Sequence, residues 1–166
     1  MSPLRGVPIA AAFLFACGEV ATLDVSLEFS TPDIKGATKQ VLLVVQLPPK
    51  DGDPCEPLWA DPPAKLGEPF VRLINFPNAN DLLAAGLADE RYALFAYAHA
   101  TQFDLFCKTV DSECSGSNVG KACRPIGGGQ KACVSGERAI TPLAAGCGVG
   151  SVGLETRPIS IKLSPR

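Results

Sequence analysis

Seven cysteines and a single histidine are the side chains whose chemistry is most restricted in this chain. Beyond Cys17 stand six cysteines: Cys55, Cys107, Cys114, Cys123, Cys133 and Cys147. Two chemistries compete for an even set of thiols: disulfides, which need an oxidising compartment, and zinc thiolates, which need closely spaced pairs or histidine partners. The gaps between successive members of the set have no C-x-x-C pair among them, and His99 is the only histidine. The spacing therefore predicts three disulfides, no metal site and an exported chain; fifteen pairings are open to six cysteines, and spacing does not choose among them.

Four other constellations have less to offer. His99 is the only base available to a Ser-His-Asp or Cys-His site, no G-x-S-x-G elbow occurs, and the residue is expected in a surface hairpin turn. The run Gly148-Val149-Gly150-Ser151-Val152-Gly153 fits G-x-G-x-x-G, yet a dinucleotide site needs a βαβ unit, and Pro158 with the short remaining tail leaves no room for one. A flexible glycine loop ahead of a last strand is the expectation there, and Gly127-Gly128-Gly129 is expected at a hairpin tip. Asp51, Asp53 and Glu56 could offer oxygens to calcium, but an EF-hand frame starting at Asp51 puts Cys55 and Pro62 where ligands belong. Asp24 and Glu28 alternate outward on a strand and are expected in solvent.

The N-terminal residues carry an address. Met1–Gly6 holds one charge, Arg5, and Val7–Ala16 is an apolar run that ends Leu14-Phe15-Ala16-Cys17 before Gly18-Glu19. A run of this length is half of what spans a bilayer and suits the core of a signal peptide. On Leu14, Ala16 and Cys17 the chain resembles a bacterial lipoprotein precursor. The resemblance covers residues 1–18 and implies a signal peptide over 1–16, cleavage before Cys17, and lipidation (palmitate among the acyl chains) of the Cys17 thiol. It also implies a membrane partner through that anchor, at the outer membrane of the cell envelope, since Gly18 rather than Asp follows the cysteine. The other reading is an ordinary secretory signal or a buried N-terminal strand with a free Cys17. Removal of Arg5 with the leader takes the formal charge from −2 to −3.

Charge near balance, with 15 basic and 17 acidic residues, excludes the basic excess of a nucleic-acid-binding protein. Glycine and proline number 16 and 15, too many for a helical bundle, while 46% apolar residues are too many for disorder.

The elements that must position the cysteines read as β. Thr22–Phe29 alternates polar and apolar without a miss, which predicts a half-buried strand with Leu23, Val25, Leu27 and Phe29 inward. Thr31-Pro32-Asp33 and Lys35-Gly36 predict a turn. Val41–Leu47 is apolar on nearly every position, as in a strand covered on both faces. Residues 48–69 contain seven prolines with Trp59 and predict a loop pinned by Cys55. Phe70–Phe76, Tyr92–Tyr97 and Phe103–Val110 predict strands, the last two joined through His99–Gln102. Asp81–Ala85 predicts a helical turn ended by Gly86, and Ile159–Leu163 a final alternating strand.

Together these predict an all-β fold, an antiparallel β-sandwich of immunoglobulin-like or transthyretin-like kind, as one domain over 17–166. A Gly/Cys-rich insertion over about 111–156, held by disulfides because it builds no core, precedes the last strand. The expected function is a non-enzymatic binding or structural role at the envelope, facing the periplasm or cell surface, without cofactor and with a protein or glycan partner left open. The alternative is an exported enzyme or carbohydrate-binding module on the same scaffold.

Overall fold

The computed structural model describes residues 22–59, 70–77, 82–85, 87, 90–103, 107, 114, 122–134, 140–152 and 158–165. Cys17 and the expected leader lie outside these residues, as do Gly153 and most of Phe103–Val110.

The fold is mostly β. Strands β1 (Thr22–Phe29), β2 (Gln40–Gln46), β3 (Phe70–Asn75), β4 (Leu82–Ala85), β5 (Arg91–His99), β6 (Ala122–Gly127), β7 (Gln130–Val134), β8 (Ala144–Ser151) and β9 (Ile159–Leu163) form three sheets. A four-stranded sheet has the order β3-β2-β5-β8, antiparallel throughout. A three-stranded sheet has the order β4-β1-β9, and β6 with β7 makes a hairpin.

Every residue of β2 is buried, and so is every residue of β5 after Arg91. Side chains alternate across a strand, so such strands must be covered twice. On one face Val41, Leu43, Val45, Leu94, Ala96 and Ala98 join Leu23, Val25, Ile159, Ile161 and Leu163 in a single apolar cluster. On the other, Leu42, Val44, Ala93, Phe95 and Tyr97 join Ile126, Ala132 and Val134 of the β6–β7 hairpin. The four-stranded sheet is thus the middle layer of three.

Several expectations are corrected here. Residues 111–156 are not a coreless insertion: they supply β8, a full member of the middle sheet, and a hairpin whose Ile126 is wholly buried. The reason is that the outer face of β2 and β5 needs cover, and Ile126, Ala132 and Val134 of the hairpin pack there together with Phe103, Leu58 and Ile140. Strands β1 and β9 pair in parallel, Val25 opposite Ile159 through Phe29 opposite Leu163, so the fold is not antiparallel throughout. Leu82–Ala85 is an edge strand rather than a helical turn, because β1 offers it a free ladder, Thr22 opposite Ala85. Phe103 and Cys107 lie in no strand. The turn expected after β1 closes into a short helix α1 (Pro32–Ala37), started by Pro32 at its first turn and by Thr31, whose Oγ1 accepts from the Ile34 amide at 3.3 Å.

Gly148 and Gly150 of the G-x-G-x-x-G string serve the strand, not a loop. Gly148–Ser151 belongs to β8. A Cβ at Gly146 would run into the carbonyl oxygen of Lys162, and one at Gly148 would lie 2.8 Å from Ile159 Cγ2. Their absence lets β9 cross β8 closely enough for Ala145 and Ser164 to exchange two backbone hydrogen bonds of 3.0 Å, which tie the two larger sheets at one corner. Gly127, Gly128 and Gly129 do form a hairpin tip, all with positive φ, and the first two lie flat on Tyr97 and Val44.

Candidate functional site

The sulfurs are the densest chemistry among the described residues. All six cysteines predicted to bridge do so, in the pairing Cys55–Cys147, Cys107–Cys123 and Cys114–Cys133. The first bond ties the proline-rich loop to β8. Asp53 Oδ1 accepts from the Cys55 amide at 2.9 Å and the Asp53 carbonyl from the Glu56 amide at 3.1 Å, which starts a 3-10 turn over Glu56–Trp59. Asp53 therefore shapes a turn, and Asp51, Asp53 and Glu56 all stay in solvent. Tyr97 reaches out of the middle sheet to donate to the Leu58 carbonyl at 2.9 Å. Burial pushes that phenol up to about 12, so it stays a donor at any ordinary pH.

The other two bonds share one nook. Cys123 and Cys133 face each other directly across the β6–β7 ladder. The Cys107 amide donates to the Lys131 carbonyl at 3.0 Å, which holds Cys107 beside the same hairpin. The sulfurs of Cys107, Cys114 and Cys133 lie within 4.8 Å of one another. Bonded in pairs, they carry no thiolate to offer a metal ion.

His99 is not in a surface turn. It ends β5, opposite Gln40, and is wholly buried. The chain turns back after it: the Phe103 amide donates to Gln40 Oε1 at 2.9 Å, and Gln40 Nε2 donates to the Phe103 carbonyl at 3.2 Å and to Asn75 Oδ1 at 3.0 Å. This clamp sets the Phe103 ring edge-on to the imidazole, with centroids 5.0 Å apart. Neither ring nitrogen has a hydrogen-bond partner among the described residues. Burial pulls the pKa down to about 4. A neutral, enclosed imidazole is a packing element rather than a base presented to a substrate. Gln40, which organises this corner, gave no sign in the sequence; its one local signal is a polar residue at the start of an apolar run.

Asp24 and Glu28 are exposed as expected, and Glu28 accepts from Ser160 Oγ at 2.6 Å across the β1–β9 pair. Among the described residues no helix is long and apolar enough to cross a membrane. Compared with protein-family models, curated proteins and solved structures, the chain matches none.

Proposed function

We propose that this chain is an exported lipoprotein, acylated on Cys17, which holds a disulfide-stapled β domain at the outer membrane for binding or structural support rather than catalysis. The domain is read as a sandwich of immunoglobulin-like or transthyretin-like kind, its two larger sheets packed on one apolar cluster and a hairpin closing the outer face. The observation that carries the reading is the cysteine count: set aside Cys17, behind Leu14 and Ala16, and every remaining cysteine is bonded to another. Such pairing belongs to oxidising compartments. Burial of the only imidazole supports the non-enzymatic side of the reading, since general-base chemistry at neutral pH has no His99 to draw on.

The test is metabolic labelling with a fatty-acid precursor. Wild-type protein takes up label and fractionates with membranes, because two or three acyl chains hold where one binds only reversibly. Cys17→Ala loses all label while the domain stays folded. A wild-type N-terminus at a residue other than Cys17, with no label incorporated, overturns the proposal.

A further inference from the structure

The four sulfurs at the hairpin differ in burial in a way that selects among their pairings. Cys107 and Cys133 are 9% and 7% exposed, whereas Cys114 and Cys123 are half-buried. Each buried sulfur is bonded to a half-buried one, in Cys107–Cys123 and Cys114–Cys133. The two buried sulfurs are not bonded to each other, yet they touch at 3.8 Å. The two sulfurs that would exchange are thus already in contact, beside a hairpin in which Cys123 and Cys133 stand opposite each other.

We propose that this array is a thiol–disulfide exchange site for a dithiol, whose half-reduced form keeps one bond, Cys107–Cys133, and presents Cys114 and Cys123 as free thiols. A thiolate of the dithiol attacks the Cys114 sulfur, the accessible end of its bond, forming a mixed disulfide and releasing Cys133 as a thiolate. Cys133 attacks the sulfur of Cys107 beside it. The Cys107–Cys133 bond forms, the Cys107–Cys123 bond breaks, and Cys123 leaves as a thiolate that takes a proton. The second thiol of the dithiol then attacks its own sulfur in the mixed disulfide, closing a cyclic disulfide and freeing Cys114, which takes the second proton. The dithiol loses two electrons and two protons, and the protein gains both.

Solvation drives the migration. A disulfide is uncharged and loses little on burial, whereas a thiolate is disfavoured away from water. Migration leaves the bond between the two buried sulfurs and puts both thiols where water reaches them; exchange rates follow the same access. Cys55–Cys147 takes no part, since Cys147 Sγ lies against the Gly148 carbonyl and outside the cluster.

The experiment treats the folded, oxidised full chain with one equivalent of dithiothreitol, quenches with acid, alkylates the free thiols and maps the peptides. The expected dominant half-reduced species has Cys114 and Cys123 alkylated together and Cys107 joined to Cys133. Alkylation of Cys114 with Cys133, or of Cys107 with Cys123, as the dominant pattern means that bonds are reduced in place and overturns the proposal. As a second measurement, the Cys114→Ser/Cys123→Ser double variant, oxidised in air, closes a Cys107–Cys133 bond and resists alkylation. Two reactive thiols in the folded variant overturn the proposal as well; if that variant does not fold, the wild-type map decides.

Discussion

His99 shows how one side chain can change role once its surroundings are known. Its pKa falls from 6.5 to about 4 on folding, so the unfolded chain takes up a proton at a pH where the folded one does not. The neutral ring's contribution is complete above pH 6.5 and is lost as the pH falls towards 4. Relative to His99→Phe, the wild type should lose about 1.4 kcal/mol per pH unit across that window, roughly 3 kcal/mol in all. Urea midpoints of both proteins at pH 7 and pH 4.5 measure it, and parallel pH slopes would show that the imidazole is solvated after all. His99 ends β5 in the interior, whereas the sequence suggested a surface turn. It could not show burial, because the cover comes from Phe103 and is held by Gln40, 63 residues earlier in the chain.

At the scale of the element, β8 carries the sharpest contrast. Alanine favours a strand over glycine, yet Gly146→Ala should destabilise by about 1–3 kcal/mol, because the added methyl meets the backbone of β9 with nowhere to move. Gly36 in α1 has nothing within 4 Å of its Cβ position. Gly36→Ala should therefore be neutral or stabilising by up to about 1 kcal/mol, since alanine loses less backbone freedom in a helix. Thermal melts of the two variants test the pair together; equal shifts would mean that close packing of β9 on β8 is not what the glycines serve. Strand β2 makes the complementary case. Leu43 is wholly buried against β1 and β9, so Leu43→Asp should cost about 4 kcal/mol or more, and Ile161→Asp the same from the facing sheet. Loss of the cooperative unfolding transition in either variant is the expected result, whereas an exposed surface at either site would shift it only slightly. Strands β2 and β9 were readable as strands, since alternation and unbroken apolar runs are local patterns, whereas β8 was not. Leu82–Ala85 was not, because its strand form rests on the ladder of β1 and not on its own residues.

For the whole molecule, the disulfides bind distant parts of one fold. Cys55–Cys147 closes a separation of 92 residues, against 16 and 19 for the other two. Longer closed loops restrict the unfolded chain more, so loss of this bond should destabilise most, within the usual ~2–4 kcal/mol per bond. Cys55→Ala/Cys147→Ala compared with Cys107→Ala/Cys123→Ala in urea denaturation gives the order, and the reverse order would mean that native-state packing of the hairpin outweighs loop closure. Intact mass of the oxidised chain should lie about six hydrogens below that of the reduced chain. The hairpin is also part of the folding unit: its Ile126, Ala132 and Val134 share one buried cluster with Leu42, Val44, Phe95 and Tyr97. Ile126→Ala should therefore cost about 2–5 kcal/mol, as a core truncation does, although the residue lies in a segment poor in large apolar side chains.

The sequence by itself determined that this chain is β-rich, that its six cysteines beyond Cys17 would pair, and which faces of β1 and β9 turn inward. Each follows from residue type and from spacings of a few residues, where the physics is local. Tertiary structure alone decided which cysteines bond, that β1 and β9 run parallel, and that β8 is a strand of the middle sheet. It also decided that the glycine-rich hairpin is the lid of a second core and that the single histidine is enclosed beneath Phe103. These depend on contacts between residues far apart in the chain, where what matters is the surface left uncovered by everything else. A strand announces that both its faces need burial; it does not name what will bury them.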